Sequence, residues 1–135
     1  MNDFALVEQE DEWGCGVACV ASRLGVTYAV AKSRLEKQKG SGIEEKPKGL
    51  DLDPIVKVLH RAGVDVVADW FAKEMPAGTI AYIDGAAPYK DGHYLLKVAG
   101  GWMDPWSNMP AKAREAKVQK GLPKGTNIKV ALVPK

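Results

Sequence analysis

Apolar positions along this chain fall into two regimes. Up to about residue 62 they recur at helical spacing, and beyond it they run in short, alternating stretches. Val17, Ala18, Val20, Ala21 and Leu24 form one stripe that Gly25 stops, which predicts a helix over residues 14–24. Thr27 offers an N-cap to a second helix over 28–38. Ala29, Val30 and Leu35 supply part of its apolar face, and Lys32, Arg34, Lys37 and Lys39 make the rest basic and solvated. A third helix over about 53–62 is capped by Asp51 or Asp53, with Pro54 in its first turn. It turns Ile55, Val56, Val58 and Leu59 to the core and ends at Gly63.

The second regime reads as strands. Residues 64–70 alternate imperfectly, Met75-Pro76-Ala77-Gly78 is a turn, and residues 79–83 form a second strand. A loop over 84–92 delivers His93 to the head of a third strand over 93–99. Gly100-Gly101 reads as a tight hairpin turn, and Trp102-Met103-Asp104 starts a fourth strand. Residues 111–120 read as a short basic helix and 127–133 as a final strand. Residues 3–8 are a short strand or an extended lead-in. The aperiodic, Gly- and charge-rich stretch 39–49 is a surface loop, either overhanging a site or simply linking two helices. Helices first and an antiparallel meander afterwards predict an α+β domain, with N-terminal helices packed on a C-terminal sheet.

Size and composition narrow the setting. The 135 residues suffice for one domain, residues 1–135, which at this size buries about two-thirds of the surface its unfolded chain exposes. A net charge of +2, from 19 basic and 17 acidic side chains, is too small an excess to argue for nucleic acid or an anionic membrane as partner. Four of the charges hardest to place, Glu8, Glu10, Asp11 and Glu12, read as an acidic surface stretch. Cys15 and Cys19 stand four residues apart on one helix and are poorly placed to bridge, so both are expected as free thiols in a reducing, cytoplasmic setting. The N-terminus has no basic region followed by a long apolar run, and no stretch approaches a membrane span. Delivery by a secretion route that reads other signals stays compatible with this.

Candidate chemistry centres on Trp13-Gly14-Cys15-Gly16. A cysteine in the first turn of a helix meets free N–H groups and the positive end of the dipole, which favour thiolate, the nucleophilic form. Gly14 and Gly16 are read as residues that let the backbone turn and leave room for a substrate. Gln9, six residues upstream, carries an amide donor suited to a developing oxyanion. His93 follows Gly92 at a strand start, and Asp104 lies one hairpin arm away, near enough to orient the imidazole. Asn108 is an alternative orienter. Against this, a cysteine is often simply buried, Asp-Pro is a common turn pair, and a glutamine amid acids is often solvated. Cys19 reads as core, His60 as a surface or helix-capping residue, and Trp13, Trp70, Trp102 and Trp106 as mainly packing residues. Trp13 and Trp106 flank the reactive positions and are candidates, with Gly14 and Gly92, to line a substrate groove. Cys15, Cys19, His60 and His93 lack the paired spacing of a zinc site, and no metal or cofactor is expected.

The order Gln9, Cys15-Gly16 with Ala18-Cys19 following, Gly92-His93 and Asp104-Pro105 resembles the C39-type cysteine peptidases of the papain-like group, over about residues 7–106. The resemblance implies a papain-like fold in which Cys15 attacks an amide, His93 acts as base and then acid, Asp104 orients His93 and Gln9 supports the oxyanion. It implies a peptide or protein substrate. Many members of that family adjoin a membrane transporter and trim leader peptides ending in two glycines. No such segment stands in these 135 residues, so that specificity is not carried over. Deamidation or acyl transfer by the same triad, and a papain-like module kept for binding, are the alternative readings.

Overall fold

The computed structural model describes residues 4–135. Helix α1 (Cys15–Leu24), α2 (Tyr28–Lys39) and α3 (Leu52–Arg61) precede six strands: β1 (Val66–Asp69), β2 (Ile80–Gly85), β3 (His93–Val98), β4 (Gly101–Asp104), β5 (Lys117–Gln119) and β6 (Thr126–Pro134). The strands form one antiparallel sheet in the order β1-β6-β2-β3-β4-β5. The α+β expectation holds, and helices 1 and 2 end where Gly25 and Gly40 take left-handed backbone. Thr27 caps α2 through a 3.1 Å bond from Val30 N–H to its hydroxyl. At α3 the N-cap is Asp51, and its side chain makes no capping bond.

The three helices cover one face of the sheet. Val17, Val20, Ala31, Leu35, Ile55 and Leu59 close onto Ile80, Tyr94, Leu96, Met103 and Leu132, forming the main core. A smaller cluster, Ala81, Ile83, Tyr89, Leu95 and Trp102, lies among alternate residues of the same strands. The sheet is therefore apolar on both faces in its middle. That explains why β3 reads as a near-continuous buried run, with five of its six residues buried.

Four expectations need correction. Residues 111–120 form no helix; 111–116 are irregular and lead into β5 at Lys117–Gln119. Their apolar members, Ala111, Ala113, Ala116 and Val118, lie mostly two apart, which serves a strand and leaves a helix without a stripe. The chain is held there by side-chain bonds to loop carbonyls: Trp106 Nε1 to Ala111 O at 2.9 Å and Asn108 Nδ2 to Ala113 O at 2.7 Å. Second, the meander is interrupted, because β6 inserts between β1 and β2. Third, Val98 pairs with Gly101, so the hairpin loop is Ala99-Gly100 and Gly101 already belongs to β4. Fourth, Trp70 is not a packing residue: it is 56% exposed just past β1. Of the stretch 3–8, residue 3 lies outside the described residues, and 4–8 form no strand.

The loop after α2 is anchored. Ile43 is fully buried, Glu44 Oε1 accepts from Trp13 N–H at 3.1 Å, and the Lys48 ammonium sits 6.0 Å from the Trp13 ring centroid. This loop therefore packs against the residues leading into α1.

Candidate active site

Cys15 is the first residue of α1, so its own N–H belongs to the unpaired first turn. Its side chain meets the start of β3. The ladder between β3 and β4 reaches only to the Leu96–Met103 pair, which leaves the outward N–H of Tyr94 beyond its end. That N–H donates to Cys15 Sγ at 3.4 Å. The end of a β-ladder thus supplies a donor to the sulfur.

His93 precedes Tyr94 and is 2% exposed. Its Nε2 is 2.7 Å from Asp104 Oδ1, which leaves Nδ1 as the nitrogen for Cys15. Register explains the aspartate's place. Extending the Leu96–Met103 pairing sets Asp104 opposite Leu95, diagonal to His93 on the same face. Asp104 is as buried as His93, and its Oδ1 also accepts from Trp106 N–H at 2.9 Å. Its Oδ2 is buried with no hydrogen-bond partner. The Tyr89 ring, tilted at 5.5 Å from the imidazole, closes another side of the pair.

The electrostatics follow from this packing. Burial disfavours a charged Cys15, but the His93 charge and hydrogen bond, with N–H groups of Tyr94 and Gly16, outweigh it and lower the thiol below its ordinary value. Burial likewise opposes an imidazolium at His93, yet the Cys15 thiolate and the Asp104 carboxylate push it up to about 10. The charge of each member favours the charge of the other. Cys19, one turn along and fully buried, goes the other way: burial first, then the charges of Cys15 and Asp104, raise its thiol well above the ordinary value. Both cysteines are free.

Gln9 is buried and lies against the same assembly, its N–H donating to Pro105 O at 3.3 Å. Its side-chain Nε2 donates to Asp11 O at 3.1 Å and Glu12 O at 3.0 Å, so both amide hydrogens hold the 9–14 loop, and Oε1 is buried without a partner. Of the acidic neighbours, Asp11 is offset, Glu10 is solvated, and Glu12 lines the cleft at Cys15. Asp11 pairs with Lys32 at 3.1 Å and accepts from the Tyr28 hydroxyl at 2.8 Å, and Glu10 and Glu12 are exposed.

A cleft of about 170 Å³ opens at Cys15 and His93, lined also by Glu12, Trp13, Pro88, Asp91, Gly92, Trp106, Met109 and Pro110. Trp13, Gly92 and Trp106 are therefore wall residues. Gly14 does not line the cleft. Its backbone is ordinary (φ −96°), and what it provides is space: a Cβ there would lie 1.9 Å from the Tyr28 hydroxyl. Gly92 does need special backbone (φ +86°), and a Cβ would fall 1.8 Å from the Tyr82 hydroxyl. Asn108 is committed to the 107–115 loop through Ala113 O and Glu115 N, away from His93. His60 is exposed and pairs with Asp65. Among the described residues no His, Cys, Asp and Glu group is arranged to hold a metal ion. Sequence reasoning missed Tyr94 N–H, Tyr89 and Arg114. The last stacks 4.6 Å from the Trp106 ring centroid and donates to Glu10 O at 3.0 Å. A backbone donor and a stacking arginine carry no local sequence signal.

No family model matches the sequence, and no curated protein does. Among solved structures, the chain is similar to a double glycine motif protease from an AMS/PCAT transporter, determined in complex with the leader peptide. The TM-score is 0.62 over 98% of this chain and 91% of that one, at 14% identity. The likeness is one of fold, and it extends over the whole α+β arrangement, the C39 peptidase fold.

Proposed function

We propose that this C39-like domain is a thiol hydrolase acting on a peptide or amide bond, with Cys15, His93 and Asp104 as its triad. The observation that carries the reading is the Cys15–His93–Asp104 line, with His93 and Asp104 buried behind a partly exposed Cys15, in which the thiol is lowered and the imidazole raised, each by the charge of the other. An ordinary core cysteine gains nothing from that arrangement.

The chemistry runs in two halves. Cys15 Sγ attacks the carbonyl carbon, and the electron pair of the C=O moves to oxygen, which the Cys15 N–H stabilises. Gln9 contributes when one of its N–H groups leaves a loop carbonyl for the oxyanion. The intermediate collapses with cleavage of the C–N bond, His93 Nδ1–H passes its proton to the leaving amine, and a thioester remains. His93, now neutral, takes a proton from water, hydroxide adds to the thioester, and the acid is released with the thiolate restored. Asp104 keeps Nε2–H oriented throughout and balances the imidazolium charge. A peptide or protein substrate is also what the similar peptidase fold, solved with a leader peptide, brings to mind. Deamidation differs only in taking a side-chain carboxamide, and acyl transfer only in ending on an amine.

The test is the rate of Cys15 alkylation against pH, read by mass spectrometry, with Cys19 as the internal control and His93→Ala beside the wild type. Cys15 is expected to react well below pH ~8.5, the reference for a free thiol, while Cys19 stays inert. In His93→Ala the Cys15 profile moves upward, because burial remains and the compensating charge is gone. An ordinary profile indifferent to His93 sinks the catalytic reading and leaves a binding module.

A further inference from the structure

We infer that the cleft beyond His93 selects a basic side chain, lysine or arginine, on the amine side of the scissile bond. This deepens the hydrolase reading and rests on it for the direction of the substrate. The general acid must reach the leaving nitrogen, so the substrate residue that departs with the amine lies along the His93 side of the thiol. The cleft takes in this side: besides Cys15 it is lined by His93, by Pro88, Asp91 and Gly92 of the loop that leads into it, and by Trp106, Met109 and Pro110.

Its walls fit a methylene stem with a cationic head. Two indoles, two prolines and a methionine give apolar surface along its length. Two acidic residues belong to the lining, Glu12 three residues before Cys15 and Asp91 two before His93. Neither takes part in any ion pair among the described residues. Both residues are held through their backbones: Glu12 O accepts from Gln9 Nε2 at 3.0 Å and Asp91 O from the Tyr82 hydroxyl at 3.0 Å. No lysine or arginine lines the cleft. Lys48 and Arg114 each engage one of the two indoles, and Lys90 adjoins Asp91 in the chain, but all three stand outside the lining. Apart from the Cys15–His93 pair, what a substrate residue meets in the lining is the two carboxylates and the indoles of Trp13 and Trp106. An acidic residue there would be repelled without any partner to receive it.

The test uses the Cys15 thiol of the intact protein as the sensor. Three methanethiosulfonates are compared: the trimethylammonium-ethyl, the sulfonatoethyl and the neutral methyl reagent. Each transfers its thio group to Cys15 as a mixed disulfide and releases methanesulfinate. Rates are measured by mass spectrometry for wild type and for Glu12→Gln/Asp91→Asn. Every rate is divided by that of the neutral reagent in the same protein, so a general change at Cys15 cancels. The cation-to-anion ratio is expected to fall about fivefold or more in the double variant, and to fall in wild type as salt is raised. A ratio that stays within about 1.5-fold of wild type, or that is indifferent to salt, overturns the proposal. The hydrolase reading fails separately, on an ordinary thiol profile with the neutral reagent. If none of the three reagents reaches Cys15, both readings fall together.

Discussion

Asp104 does two jobs with one oxygen. Its Oδ1 accepts from both His93 Nε2 and Trp106 N–H, and Oδ2 is left buried without a partner. An unpaired buried carboxylate oxygen is costly, and its charge is what helps raise the imidazole. Asp104→Asn retains an acceptor for both hydrogen bonds and removes the charge. The active pair exists above the lowered Cys15 value and below the raised His93 value of about 10, so the alkaline limb of a pH–rate profile reports His93. With the carboxylate charge gone His93 loses its proton more readily, and that limb is expected to move to lower pH. The sign for stability is the same for the imidazole. Its folded value lies above the unfolded reference of about 6.5, so the stabilisation it contributes is fully present below that value and is lost as pH rises toward 10. Asp104→Asn, followed by urea unfolding between pH 6 and 10, is expected to lose part of the pH dependence over that window, the part due to Cys15 remaining.

At the scale of elements, the loop over 9–14 is the piece that aims the cysteine. It is held by its own hydrogen bonds, Gln9 Nε2 to two carbonyls and Gly14 N–H to Asp11 O at 3.1 Å, and by those of Asp11 to Tyr28 and Lys32 of α2. Tyr28 packs so closely on Gly14 that no side chain fits between them. Gly14→Ala is expected to cost about 2 kcal/mol by overpacking, and Tyr28→Phe about 1 kcal/mol through the lost hydroxyl bonds. The clash is with the hydroxyl oxygen, the ring carbon being 3.1 Å away. In the double variant the costs are therefore less than additive, with a coupling of about 1 kcal/mol measurable by urea unfolding. The same scale explains the missing helix over 111–120. Its backbone carbonyls are taken by Trp106 and Asn108, and Ser107 pairs with Glu115 through both N–H and hydroxyl. These long-range claims outbid a weak local preference.

At the scale of the molecule, β6 decides the sheet. It pairs on one side with β1 and on the other with β2, joining the last strand to the first and bringing Leu132 opposite both Ala68 and Ile80. Leu132 is fully buried in the main core. Leu132→Ala is expected to lower stability by about 2–5 kcal/mol, read as a fall in the urea midpoint. The alkylation profile of Cys15 is expected to keep its shape under conditions where the variant stays folded, because Leu132 lies outside the site. The described residues contain no helix long and apolar enough to cross a membrane.

Much of this protein was legible in its residues. Periodicity located three helices and five of the six strands to within a few positions, because α2, α3 and β1 bury one face and repeat at the spacing of their element, while β3 and β4 stand out as short apolar runs between turns. The order Gln9, Cys15, His93, Asp104 pointed to thiol chemistry, because a helix start, a strand head and a hairpin arm are local features. What residues alone left open depends on contacts between distant parts. The insertion of β6, the strand at 117–119, the close approach of Tyr28 to Gly14 and the donation from Tyr94 N–H to Cys15 all arise where elements far apart in sequence meet. So does the mutual effect of Cys15 and His93 on each other's ionisation, in which proximity works against burial. Pattern tells which residues must be buried; only packing tells which of them meet.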